Sequence, residues 1–270
     1  MAKVKVLIFS GYGTNCERET AYCAKIAGAE EVKIAHFYEI VKEEVKIENY
    51  NFVIFPGGFL DGDRLGAAQA ASVRFRFTKT KSGRSIVEEI KKLLDRGGVI
   101  LGICNGFQLL VKIGLLPACM GRYLDRQVSL TYNDSARFED RWVYLKTNPD
   151  SKCIFLKGLD RLFLPVRHGE GKLITLDPNI KNKLKEENHI ALYYTDPKGT
   201  PTQKYPFNPN GSIFAAAGLT DPTGRILGLM PHPEAYNHFT NHPLWTRNNV
   251  KDPLGIEIFK NGIEFLHKNT

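Results

Sequence analysis

Cys104 stands between two glycines in the run VILGICNGFQLLVKI, residues 99–113. An apolar, strand-like stretch leads into Gly102-Ile103-Cys104-Asn105-Gly106, and a helix-compatible apolar run follows. Strand, G-x-C-x-G, helix is the order of a nucleophile elbow. Such a turn lifts one side chain above a sheet, and the small residues on either side of it give the backbone room. The first N–H groups of the helix have no intrahelical partner there, so its N-terminus favours a thiolate and an adjacent oxyanion. A thiol so placed can carry out nucleophilic acyl transfer if a base stands beside it. The same stretch also fits a small cysteine buried at the end of a core strand.

A base is available at the end of a second apolar run, RILGLM (225–230), which stops at Pro231-His232-Pro233-Glu234. His232 is a candidate proton carrier and Glu234 a candidate to orient it. In extended backbone they would point to opposite faces, and the flanking prolines can supply the bend that unites them. A lone histidine here also fits a plain surface or core residue. A third feature, Pro56-Gly57-Gly58-Phe59, follows the apolar run NFVIF (51–55). At the C-terminal end of a parallel strand, a Gly-Gly turn can present backbone N–H groups to a ligand, or can simply turn the chain.

The elements that must position these residues are readable over residues 1–115. Val4–Phe9, Glu31–Phe37 and Asn51–Phe55 read as strands. A helix ending near Ala27, Gly66–Phe77 and Ser85–Asp95 read as helices, and Thr78–Arg84 as a mobile polar loop. This β-α alternation predicts an α/β fold: a mostly parallel central sheet with helices on both faces and ligands at the C-terminal strand ends. Cys104 and Pro56–Phe59 both fall at such ends, which favours the catalytic reading of the cysteine. Gly11-Tyr12-Gly13 lacks the third glycine of a dinucleotide fingerprint, Cys16 taking its place, so no such cofactor site is expected.

Residues 121–175 change texture. YLDRQVSLTYN and ARFEDRWVYLKT alternate as antiparallel strands do, predicting a smaller antiparallel segment. Residues 190–207 read as a loop-rich insertion, Ile213–Leu219 as a strand, and Pro253–His267 as a helix with Phe259, Ile263 and Leu266 on its apolar face. One domain over residues 1–270 accommodates all of this.

Composition narrows the class. Hydrophobic residues make up 43% and charged residues 24%, enough for a full globular core. No apolar run approaches the ~18 residues of a membrane span, and the N-terminal AKVKVLIFSGYG alternates and ends in glycines, so neither membrane nor signal peptide is expected. Five cysteines without a C-x-x-C argue for reduced thiols in the cytoplasm, against a disulfide framework and against a metal site. The net charge of +8 is spread along the chain without interleaved aromatics. That reads as a solvated basic surface, with no nucleic acid as partner.

PGGF, GICNGFQ and LGLMPHPE resemble the three signature segments of class I (triad) glutamine amidotransferases. Together with GTNCERET, RHGEGK and NPNGS, they make the chain similar to the glutaminase subunits or domains of phosphoribosylformylglycinamidine synthases of purine biosynthesis, from Val4 to about Ala235. Leu60-Asp61 departs from that pattern, where Ser-Tyr is usual. The resemblance implies hydrolysis of glutamine to glutamate and ammonia, with Cys104 forming a γ-glutamyl thioester, His232 moving protons and Glu234 orienting the imidazole. It implies an oxyanion turn at Gly57 and Gly58, with the N–H groups of Gly58 and Asn105 as donors, and Gln108 against the substrate.

It further implies that ammonia passes to a separate ATP-dependent synthetase, with a small accessory subunit as a further candidate partner. No cofactor is expected on this chain. It has no P-loop, so ATP and Mg belong on the synthetase. Three alternatives remain: a glutaminase serving a different synthetase, a DJ-1/PfpI-like elbow-cysteine protein, and a catalytically silent regulatory subunit. The NGFQ and NPNGS segments, the His-Pro-Glu run and the intact Cys104/His232/Glu234 set speak against them in that order.

Overall fold

The computed structural model describes residues 3–247 and 254–269. Pro253, where the sequence opens the last helix, lies outside the described residues. The first half runs β1 (Lys5–Ser10), α1 (Glu17–Ile26), β2 (Glu31–His36), α2 (Phe37–Val41), β3 (Phe52–Phe55), α3 (Gln69–Phe77), α4 (Ile86–Asp95), β4 (Val99–Ile103) and α5 (Asn105–Lys112). The second half runs β5 (Ser129–Tyr132), β6 (Glu139–Thr147), β7 (Arg161–His168), β8 (Glu170–Ile174), α6 (Pro178–Glu186), β9 (Ile190–Thr195), β10 (Ala216–Thr220), β11 (Ile226–Leu229) and α7 (Ile256–Asn269).

Nine strands form one mixed sheet in the order β2-β1-β3-β4-β11-β10-β9-β6-β7. Strands β2, β1, β3, β4 and β11 are parallel, as the βα alternation requires. Beyond β11 every pairing is antiparallel. The central strands FVIF and VILGI are buried along their whole length, which is why they read as unbroken apolar runs. Two helical layers flank the sheet, α1 with α7 and α3 with α4 and α5. Among the described residues, no helix is long and apolar enough to cross a membrane.

One expectation is corrected and two are sharpened. Residues 190–207 do not form a loop-rich insertion throughout: IALYYT is β9, hydrogen-bonded between β10 and β6, and the turn-rich residues after Thr195 had masked it. Residues 121–175 hold antiparallel strands as expected, divided between two sheets. Strands β6 and β7 extend the central sheet, and only β5 and β8 pair separately. Thr78–Arg84 is folded into a turn closed by Thr80 N–H donating to the Arg84 carbonyl at 2.8 Å. It leads into Ser85, which caps α4 reciprocally with Glu88. Helix α6 went unread because only Ile180 and Leu184 of its nine residues are buried, although Asp177 caps it.

The elbow depends on two close backbone approaches. A Cβ on Gly106 would run into the carbonyl of Phe55, and one on Gly102 would lie 2.9 Å from the Gly106 carbonyl oxygen. Gly106 has an ordinary helical backbone, so Gly106→Ala sets steric overlap with the Phe55 carbonyl against a helix-propensity gain of at most about 1 kcal/mol. We expect it to destabilise the protein by about 1–3 kcal/mol or more, read as a lowered urea midpoint.

Candidate active site

Where β4 ends, Cys104 adopts φ 51° and ψ −104°, and α5 begins at Asn105. A non-glycine residue at positive φ is held there only if its surroundings enforce it. They do: Cys104 N–H donates to the Leu229 carbonyl at 2.8 Å, and the Cys104 carbonyl accepts from Gln108 N–H at 3.0 Å. The buried sulfur donates to the Arg167 carbonyl at 3.6 Å.

His232 follows β11 and is pinned to β7 by its N–H, which donates to the Pro165 carbonyl at 2.8 Å. Pro233–Ala235 form a single 3-10 turn, the bend the prolines were expected to supply. The turn brings Nδ1 of His232 to 2.6 Å from Oε1 of Glu234, with the two side chains 3% and 2% exposed. Among the described residues, Nε2 of His232 has no hydrogen-bond partner of ordinary geometry, yet both Cys104 and Cys16 are close enough to act on the ring.

Burial alone would drive the imidazole to its neutral form. Burial is the largest single influence, but the Glu234 carboxylate, the charge and hydrogen bonding of Cys104 and a hydrogen bond to Cys16 together outweigh it, so His232 titrates well above an ordinary histidine. His168, also buried, behaves oppositely. Burial, reinforced by charge on His232, pushes it down to about 3, and its Nδ1 lies 3.1 Å from Oδ1 of Asn133. Burial is also the main reason the Cys16 thiol is raised.

The turn after β3 is stitched to the β1–α1 loop. Asn15 and Cys16 N–H groups donate to the Gly57 carbonyl at 3.4 and 3.3 Å, and Phe59 N–H donates to the Gly13 carbonyl at 2.7 Å. This bridge leaves the Gly58 N–H outside the pairing, as the helix start leaves that of Asn105. Gly57 packs on the imidazole: a Cβ there would lie 2.8 Å from Cε1 of His232 and 3.2 Å from the Cys16 sulfur. Behind the elbow, Leu60 N–H donates to Oδ1 of Asn105 at 2.9 Å, Asn105 Nδ2 to Oε1 of Gln108 at 2.9 Å, and Gln108 Nε2 to the Glu170 carbonyl at 2.6 Å.

A cleft of about 270 Å³ opens over these groups, lined by Cys104, His232, Gly58, Cys16, Phe59 and Phe138 among others. A larger cavity, of about 720 Å³, lies apart beside α7 and lacks the thiol–imidazole pair. Of the residues singled out in the sequence, Cys104, His232 and Gly58 meet in the cleft, Glu234 stands behind His232, and Gly57 packs against it. The side chains of Asn105 and Gln108 are buried behind the elbow and do not line the cleft. Sequence reasoning missed Cys16 and His168. Both sit inside segments that carry the resemblance, GTNCERET and RHGEGK, and neither was given a role there. One thiol, one carboxylate-backed imidazole and two free backbone donors are the parts needed for acyl transfer through sulfur.

The raised imidazole has a measurable sign. Its folded value lies above the unfolded value of about 6.5, so the stability it contributes is complete below that pH and is lost as pH rises through the folded value. Glu234→Gln removes the strongest raising influence. NMR titration of the His232 ring should show its midpoint fall in this variant, and stability should decline less steeply as pH rises through the alkaline range.

Residues 3–266 match the family of CobB/CobQ-like glutamine amidotransferase domains. The phosphoribosylformylglycinamidine synthase subunit PurQ of Dehalococcoides mccartyi is 42% identical over 266 residues, covering 98% of each chain. The subunit of the same name from Methanococcus maripaludis is 38% identical over 276 residues, again covering 98% of each. Among solved structures, that of PurLQS from Thermotoga maritima superposes with a TM-score of 0.70 at 25% identity, covering 98% of this chain and 100% of that one. The elbow cysteine, the His-Glu pair and the end-to-end match agree, and the chain belongs to the CobB/CobQ-like glutamine amidotransferase family.

Proposed function

We propose that the chain is the glutaminase subunit of a phosphoribosylformylglycinamidine synthase, a single amidotransferase domain that hydrolyses glutamine and passes the ammonia to a synthetase. The observation that carries this is one cleft holding Cys104, at positive φ on the elbow, against the buried His232–Glu234 pair. The names and near-complete coverage of the relatives support the choice of synthetase.

The amide carbon of the glutamine side chain would sit over the Cys104 sulfur. Attack forms the carbon–sulfur bond and places negative charge on the amide oxygen, facing the N–H groups of Gly58 and Asn105. His232 takes the Cys104 thiol proton as the sulfur attacks and gives it to the leaving nitrogen, and ammonia departs as the thioester forms. Water then attacks the thioester, His232 accepts its proton, and glutamate and the free enzyme result. Glu234 fixes the ring through Nδ1 and stabilises its charge. The side chains of Asn105 and Gln108 act indirectly, holding the Pro56–Leu60 turn and the elbow helix together.

ATP and Mg are assigned to the synthetase chain, and a small accessory subunit completes the assembly. The five cysteines are all free, which fits a reducing cytoplasm.

Turnover of glutamine should be measured for the chain alone and then with synthetase, formylglycinamide ribonucleotide and ATP. The partner should raise kcat/KM at least about tenfold, equivalent to about 1.4 kcal/mol. Equal rates in both conditions would make a free-standing glutaminase the better reading. Cys104→Ser should lower turnover by at least about a thousandfold, and a diazo-ketone analogue of glutamine should label Cys104 rather than Cys16.

In the same assay, His232→Ala should cost more than Glu234→Ala, each by about a hundredfold or more, because one loses the proton carrier and the other its orientation. Equal, mild effects would overturn these roles.

A further inference from the structure

His189, buried immediately before β9, has an acceptor at each ring nitrogen. Nδ1 lies 2.9 Å from the Thr220 carbonyl oxygen, and Nε2 lies 3.0 Å from Oε2 of Glu187. A carbonyl and a carboxylate both accept, and a neutral imidazole carries only one hydrogen. The Thr220 carbonyl takes that hydrogen, so lone pairs would meet between Nε2 and Oε2 unless a cation stands there. That cation is either a proton or a metal ion.

A third group favours the metal. Cys119 is buried, and one ligand atom each from Cys119, Glu187 and His189 lie within 4.8 Å of one another. Two nitrogen or oxygen ligands of a tetrahedral zinc ion stand about 3.3 Å apart, close to the 3.0 Å between Nε2 and Oε2. A thiolate, a carboxylate and a neutral imidazole carry two negative charges, which a divalent ion cancels, so no net charge is left buried. Supports are in place as well. The Thr220 carbonyl fixes the Nδ1–H tautomer, as the outer partners of metal-bound histidines do. Met120 N–H donates to Oε2 of Glu187 at 3.0 Å. Gln127 holds both backbone groups of Cys119, accepting from its N–H at 2.8 Å and donating to its carbonyl at 3.2 Å. The Glu187 side chain is 30% exposed, which opens the site to solvent, and Lys183 stands 3.8 Å from its other oxygen.

We propose that Cys119 Sγ, Glu187 Oε2 and His189 Nε2 form a binding site for a borderline-soft divalent cation, Zn²⁺ above all, with water in the fourth tetrahedral position. Without an ion Cys119 remains a thiol, pushed up to about 12 chiefly by burial, and a divalent ion deprotonates a coordinating thiol outright. Binding releases that proton to solvent, with any proton shared between His189 and Glu187. The ion ties the turn after α5 to the junction of α6 and β9. None of its three ligands lines the catalytic cleft, so the site is independent of the glutaminase reading. The ligands come from two segments far apart in the chain, and no C-x-x-C spacing marks them.

The test is a titration of the metal-free full chain with Co²⁺, read by its absorption, followed by competition with Zn²⁺. Thiolate-to-cobalt charge-transfer absorption should saturate at one equivalent, and Zn²⁺ should displace it. Cys119→Ser should abolish the band, whereas Cys104→Ser should leave it unchanged. Glu187→Gln, made on a partly exposed side chain, should keep the fold and weaken Co²⁺ binding at least about tenfold, the loss that even an outer partner typically brings. Zn²⁺ should raise the urea midpoint of the wild type, reversibly on chelation, and leave that of Cys119→Ser where it was. Neither band nor midpoint shift would mean that only a proton stands between His189 and Glu187, which overturns the proposal. A band that survives Cys119→Ser, one that Cys104→Ser removes instead, or a Glu187→Gln chain that binds as tightly as the wild type overturns it equally.

Discussion

The carbonyl of Phe55 lies where a side chain on residue 106 would begin, and the arrangement of the cleft follows from that contact. Phe55 ends β3 and leads straight into Pro56-Gly57-Gly58, while Gly106 is the second residue of α5. One steric approach therefore seats the nucleophile helix and sets how far its first N–H groups stand from the glycine turn. Side chains then lock the spacing, through Leu60 on Asn105, Asn105 on Gln108 and Gln108 on β8. The two proposed oxyanion donors come from segments far apart in sequence, yet they share one rigid mounting.

The electrostatics are arranged with similar economy. Two buried histidines contribute to the surroundings of the cleft, but only one has a carboxylate beside it. His232 retains a proton because Glu234 at 2.6 Å, with Cys104 and Cys16, offsets its burial, and His168 stays neutral because nothing of opposite charge offsets its own. Their mutual repulsion helps confine the positive charge to the ring that faces the sulfurs. Cys16 is held protonated mainly by its burial.

Legibility in the sequence tracked how local the determining physics is. The elbow, the parallel strands and the His-Pro-Glu turn are written in contiguous residues, whose glycines, prolines and apolar runs dictate backbone shape directly. Strand β9 was hidden because its residues are followed at once by a turn-rich stretch, and α6 because most of its residues face solvent. Cys16 and His168 reach the site only through tertiary pairing, the first through its N–H on Gly57 and the second through β7. No periodicity in their own neighbourhoods marks them. The family resemblance implied Gln108 against the substrate, one helical turn beyond Cys104. The buried bonds to Asn105 and Glu170 engage its amide instead.

The positive φ of Cys104 carries a consequence for evolution as well as for chemistry. A side-chain-bearing residue in that region costs on the order of 1–3 kcal/mol, which glycine largely escapes. Glycine at 104 would relieve that strain at the loss of a buried side chain, and the strain is concentrated at the residue proposed to attack the substrate. Drift without selection for turnover would have no reason to keep it. A lineage that retains cysteine at this turn bears a standing thermodynamic handicap that only activity can justify.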